Sequence, residues 1–353
     1  MMPRSSVLAA VLLSTALARR PVEEFTISLD DPPAKRYAAV APRFNTTVWS
    51  FWNQYFAKDA ILRDALYALV DIRGKEPAEM HAEIEGIAAT AALPVKFVQG
   101  IQMLYELQTI MIPIVNFSST SLSALNLPYA PELLNHTTPW NVTGPRGWEA
   151  LTRLPSVSED SNSPVSTRAL IGPRSCPVCR RWRGPGCTGI IAADTSDGGS
   201  VNHARNLDFA PVDVMTNLVF TGIFTRGGKE LFRSQMVFGY VQAVTGMRRG
   251  PNGYAIERNT RYADHVGGFE ETMSNLLSGK TLNGWTLRKV LESEAEYEGA
   301  ISAISTVRYA SPEYAIVSGV KKGVIFSRNP TYVAHTQTLG KHNFEERSDY
   351  VTS

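Results

Sequence analysis

A chain of 353 residues with 44% hydrophobic and 19% charged side chains has enough apolar material for one large domain or two ordinary ones, which excludes a disordered or fibrous class. Its net charge of +2 gives no electrostatic footprint for nucleic acid. Three cysteines cannot all pair with one another; if Cys176 and Cys179 pair, Cys187 is left as a thiol.

Residues 1–18 read as a secretory signal, with Arg4 as the basic start, an apolar run over 7–17 and the small-residue site Ala16-Leu17-Ala18. The run is too short to span a bilayer. A lumenal or extracellular location, secreted or lysosomal, is expected, and the sequons at Asn45, Asn116, Asn135 and Asn141 fit that route. Residues 25–30 alternate as a strand, ended by Asp31-Pro32-Pro33. Apolar residues at helical spacing predict one helix over 47–72, a second over 78–88 and a third from Pro94 to about Met111. Residues 117–183 are rich in Ser, Pro, Asn and Arg without periodicity, and read as an irregular insertion or pro-segment. Within them Cys176-Pro177-Val178-Cys179 lacks the second ligand pair of a zinc site and the βαβ setting of a redox motif.

Two β-rich runs follow, 187–194 and 201–209, separated by Asp197-Gly198-Gly199. That turn chemistry predicts a hairpin with Cys187 at its open end. The returning strand brings Arg205 and Asp208 back to the same end, so thiol, guanidinium and carboxylate converge. No paired histidine is evident, but a cut between Gly186 and Cys187 would give Cys187 an α-amine with an ordinary pKa of roughly 7.7–8.0, able to take the thiol proton. Gly184-Pro185-Gly186 suits an accessible turn at such a bond. The alternative is an ordinary hairpin with a buried cysteine.

Further strands are predicted over 217–225, 231–244 and 254–256. Asn283 can cap a helix whose apolar pattern continues to Ile304, and strands follow over 314–319 and 323–328.

Cys187-Thr188, then Arg205-Asn206-Leu207-Asp208-Phe209, resembles the acid ceramidase and N-acylethanolamine acid amidase family of N-terminal nucleophile hydrolases. The separations of 18 and 21 residues from Cys187 to Arg205 and Asp208 are two longer than the family's, a difference the turn can absorb. Tyr105-Glu106, Gly239-Tyr240, Thr245-Gly246 and the run Asn259-Thr260-Arg261 also resemble family positions; Thr260 stands where the family has an acid, and Glu257 and Arg258 lie close enough to compensate. The resemblance implies an α+β fold, the four-layer αββα sandwich, with a helical α-chain (19–116), the segment 117–186 ending at the cleavage site, and a β-chain (187–353). It implies Cys187, Arg205 and Asp208 as catalytic groups, and Phe209, Tyr240, Asn259 and Arg261 at the substrate. The implied reaction is hydrolysis of a fatty N-acyl amide, of N-acylethanolamine or ceramide type, with no cofactor, no metal, no nucleic-acid partner and transient contact with a membrane surface. A bile-salt or penicillin-type amidase and a catalytically impaired lipid-binding isoform are the alternatives. Residues 348–353 resemble the approach to the family's oxyanion-hole Asn, which the sequence does not reach, so an incomplete sandwich is expected.

Overall fold

The computed structural model describes residues 22–74, 76–107, 186–194, 199–208, 212–261, 266–340 and 350–352. The leader, the segment 117–183 with Cys176 and Cys179, the sequons at Asn116, Asn135 and Asn141, and Phe209 lie outside the described residues.

The architecture is α+β. Strand β1 (Glu24–Ser28) is followed by helices α1 (Ala41–Trp52), α2 (Ala60–Arg73), α3 (Ala78–Ala91) and α4 (Val95–Ile101). The hairpin is β2 (Gly186–Asp194) with β3 (Ser200–Asp208). Then come β4 (Val219–Arg226), β5 (Lys229–Val237), β6 (Thr245–Arg248) and β7 (Tyr254–Thr260). Three helices follow, α5 (Val266–Leu277), α6 (Asn283–Ser293) and α7 (Tyr297–Thr306). The last strands are β8 (Glu313–Gly319), β9 (Lys322–Arg328), β10 (Val333–Thr338) and β11 (Tyr350–Thr352).

Eight strands form one sheet in the order β1-β4-β5-β6-β7-β8-β9-β10, and β11-β2-β3 form a second. Only the β1–β4 pairing is parallel among the described strands. The small sheet packs on β7 and β8, with Ile191, Ile316 and Ile325 buried between the two. Helices cover the opposite face of the large sheet, where most of the apolar core lies. Strand β4, covered on one face, alternates buried and half-buried residues. Strands β7 to β9 lie between the two layers and lose that alternation, because both faces are covered.

Several sequence expectations change, among them the helix expected from Pro94 to about Met111, which as α4 ends at Ile101. The helix expected over 47–72 is two helices: α1 begins earlier, ends in a π-helical turn (Asn53–Ala57), and Asp59 starts α2 by accepting a hydrogen bond from the Leu62 N–H at 3.0 Å. The strand expected over 231–244 stops at Val237. Beyond it the chain crosses the interior without strand pairing, and the side chain of Gln102 replaces the lost ladder: it donates to Gly239 O at 2.6 Å and accepts from Val241 N–H at 3.1 Å. The pattern from Asn283 to Ile304 is α6 and α7, broken at 294–296, and Asn283 does not cap: it is the first helical residue, its amide spent on Ser311 O and Glu313. Helix α5 and strand β10 are not among the expected elements; Arg73 holds the end of α5, donating to Leu276 O and Lys280 O.

Candidate active site

Hairpin register decides which side chains meet. Cys187 stands opposite Leu207, Gly189 opposite Arg205 and Gly186 opposite Asp208. Residues directly opposite, and every second residue, share a face, so Cys187 and Arg205 both point at the large sheet. Cys187 is 3% exposed. Backbone pairing places Asp208 beside the Gly186–Cys187 bond; its side chain lies outside the described residues.

Two groups converge on the thiol. The Tyr105 hydroxyl and Arg205 Nη2 each lie 3.7 Å from Cys187 Sγ. The carbonyl of Arg258 organises both, accepting from the Tyr105 hydroxyl at 2.9 Å and from Arg205 Nη2 at 2.9 Å. Arg205 Nη1 donates to Val244 O at 2.5 Å and to Thr245 Oγ1. The guanidinium is thereby fixed with one edge toward the sulfur. Burial works against its charge, but Tyr105, Cys187 and Glu257 outweigh burial and hold Arg205 above the usual guanidinium range. Burial, and then the charge of a Cys187 thiolate, push the Tyr105 hydroxyl up, so it stays protonated.

Behind Tyr105 lies a sealed ionic cluster. The Arg258 guanidinium stacks on the Tyr105 ring at 4.0 Å. It pairs with Glu106 at 2.9 Å and Glu313 at 3.0 Å, all three essentially unexposed. Burial raises the carboxyl of Glu313, against the pull of the Arg258 charge.

Beside the thiol an apolar pocket is lined by Ile101, Leu104, Tyr105, Leu207, Tyr240 and Val244, among others. Tyr240 is buried, its hydroxyl raised well above the usual range by that burial. Asn259 is fully buried and not at the pocket. Its amide satisfies its neighbours in one orientation, donating to Arg258 O at 2.9 Å and accepting from Gly189 N–H at 3.2 Å. It thus ties β7 to β2. Arg261 is half-buried and donates to Asn329 Oδ1 at 2.5 Å. Asn45 lies within α1, half-buried.

The sequence marks Tyr105 only as half of the family-like Tyr105-Glu106, and Glu257 and Arg258 only as neighbours able to compensate for Thr260, and assigns none of the three to the site. The signal for Glu257 and Arg258 is a Glu-Arg pair inside a strand that is otherwise buried. Among the described residues no group of three His, Cys, Asp or Glu side chains could hold a metal ion, and no helix is long and apolar enough to cross a membrane.

No protein-family model matches the chain. It is 32% identical over 160 residues to an N-acylethanolamine-hydrolyzing acid amidase of Caenorhabditis elegans, covering 44% of this chain and 43% of the relative. It is 28% identical over 145 residues to the Mus musculus protein of that name, covering 40% and 38%. Acid ceramidase of Bos taurus is 29% identical over 152 residues, covering 39% and 37%. The chain thus matches about two fifths of the length of these curated relatives. A solved structure of a C. elegans N-acylethanolamine-hydrolyzing acid amidase ortholog is 28% identical, with a TM-score of 0.40 over 47% of this chain and 69% of that one.

Proposed function

The chain belongs to the acid ceramidase and N-acylethanolamine acid amidase family of N-terminal nucleophile hydrolases, and from that premise we propose that it hydrolyses the amide bond of a fatty N-acyl lipid through Cys187. The observation that carries this reading is the thiol held between the Tyr105 hydroxyl and the Arg205 guanidinium at the side of an apolar pocket. The pocket's lining is apolar, as the end of an acyl chain next to its carbonyl requires, and the two polar groups suit a reacting carbonyl.

The sequence of steps begins with the chain's own backbone. Cys187 Sγ attacks the Gly186 carbonyl, the Cys187 nitrogen leaves as an amine, and water hydrolyses the thioester. The new α-amine, with Asp208 opposite the former bond, then serves as base for the thiol. The thiolate attacks the substrate carbonyl, the amine product departs, and water releases the fatty acid from Cys187. Arg205 stabilises thiolate charge throughout. In this reading the segment before Gly186, with β1 and α1 to α4, and the segment after it become two associated chains in a four-layer αββα sandwich, and the signal and sequons take the protein through the secretory pathway to the lysosome.

Acidified protein should give two fragments on a denaturing gel, the second beginning at Cys187 by mass analysis. Cys187→Ala should stay whole. The intact cut protein should turn over an N-acylethanolamine or a ceramide faster than a conjugated bile salt. A Cys187→Ala chain cut equally well at this bond would remove self-processing; preference for the bile salt would move the substrate to the other branch of the superfamily.

A further inference from the structure

Strand β7 carries two adjacent ionic residues that face opposite ways. Arg258 faces the helices, where Glu106 and Glu313 meet it. Glu257 faces the hairpin sheet and is fully buried there. One carboxylate oxygen, Oε1, is seated against Gly189, so close that a Cβ at that residue would stand 1.8 Å from it. The other, Oε2, lies 3.5 Å from His203 Nε2 and 3.9 Å from Arg205 Nε. Neither oxygen has a hydrogen-bond partner among the described residues, and neither does His203 Nε2 or Arg205 Nε.

A carboxylate sealed from water without hydrogen bonds is tolerable only beside a compensating charge. The titratable and charged groups placed against Glu257 are His203 and Arg205, both on β3. From β2 it meets Gly189, and in its own sheet it stands opposite Thr245 of β6 and Ile316 of β8, none of them titratable. His203 is held from its far side, Nδ1 lying 2.8 Å from Ser318 Oγ. Arg205 would keep its place without Glu257, because Val244 O, Thr245 Oγ1 and Arg258 O already fix both terminal nitrogens. What Glu257 alone supplies is negative charge on the side of the guanidinium away from the thiol. The acid that the family resemblance puts in this strand falls instead at Thr260, an odd number of residues on and so on the opposite face.

We propose that Glu257 is a positioning residue that acts on Cys187 through Arg205: it tempers the guanidinium charge that the thiol feels, with His203 as its second partner. The proposal rests on Cys187 being the nucleophile of the hydrolysis inferred above.

The test is the pH dependence of Cys187 alkylation by iodoacetamide, followed in the full chain by mass analysis of the Cys187 peptide. Glu257→Gln keeps the shape and removes the charge, leaving Arg205 untempered. The thiolate is then favoured, and the alkylation midpoint should fall by about one pH unit, the low end for a neighbouring-charge effect. Should that variant not fold, Glu257→Asp carries the test: it keeps the charge but withdraws it by one methylene, and the midpoint should fall by less. A merely structural carboxylate would lower the melting temperature and leave the midpoint where it is. An unmoved midpoint in either folded variant overturns the proposal. Absence of amide turnover with a shifted midpoint would instead count against the substrate reading alone.

Discussion

Two buried arginines, Arg288 and Arg205, are handled in opposite ways. Arg288 has carboxylate oxygens on every side: both terminal nitrogens reach Glu83, and Nε donates to Glu292 at 3.0 Å. Glu83 is itself shared with Arg36 at 2.7 Å. Arg205 is held by two backbone carbonyls and a hydroxyl, while the Glu257 carboxylate stands 3.9 Å away. The first arginine has its charge neutralised by direct hydrogen bonds. The second is fixed by neutral acceptors that leave its charge to act on a neighbouring sulfur. At Arg205 the neutral acceptors leave the cation's charge to the sulfur, whereas at Arg288 the counter-ions take that charge up in joining elements of the fold.

The comparison breaks first at Glu83. Removing it leaves two arginines, Arg36 and Arg288, without their shared carboxylate in an interior site. Loss of one partner from such a buried pair costs about 3–5 kcal/mol. Glu83→Ala should therefore show a large drop in denaturant midpoint, and any loss of hydrolysis should follow the fraction unfolded. Glu83 precedes Gly186 and Arg288 follows it, so in the cut protein the same substitution should also loosen one chain from the other on gel filtration. A variant as stable as the parent would mean that Glu292, Tyr37 and Val241 O hold Arg288 without Glu83.

The next test is the reverse case. Arg205→Ala should lower turnover roughly 100-fold, the scale of losing one strong electrostatic contact in a site. Its denaturant midpoint should fall less than that of Glu83→Ala. Asp208→Asn should cost a similar factor if Asp208 holds the new amine. Near-parental turnover in either would leave the hairpin as structure only.

The hairpin was legible because its signals are local. Asp-Gly-Gly is turn chemistry in the sequence itself, and strand alternation decides which residues share a face, so Cys187 and Arg205 fall together without any tertiary information. The partners from elsewhere were not legible in the same way. Tyr105 reaches the thiol because a helical turn near the end of the first chain half lies over β7, a contact between residues 82 apart. Glu257 and Arg258 are distinguished by which face of β7 each occupies, and a strand covered on both faces carries no alternation to read. Asn259 is read no more easily: in sequence it belongs to a family-like run, and only the strand's place between two layers shows that it meets the Gly189 N–H. Gln102 is a further example, since nothing near it in sequence shows that residues 238–244 would need donors and acceptors from a helix.

The smallest predicted effect lies at the rim of the Arg288 cluster. Glu79 accepts from Arg36 and from Lys289, each at 2.6 Å, and remains partly exposed. Partial burial opposes its charge, but the two cations prevail and hold its carboxyl down to about 2. A folded-state value below the unfolded one means that the charged form favours the native state. That contribution is complete above the ordinary carboxylate value of 4.5 and is lost as pH falls from there toward about 2. Glu79→Gln should therefore destabilise the protein at neutral pH by no more than about 1 kcal/mol, because partly exposed pairs contribute little. The gap between parent and variant melting temperatures should close in the acid window and be nearly gone at its lower end. A gap that stays constant with pH would show that Glu79 contributes packing, not charge. The rim would then resemble Arg205's setting, with cations held by something other than their counter-ions.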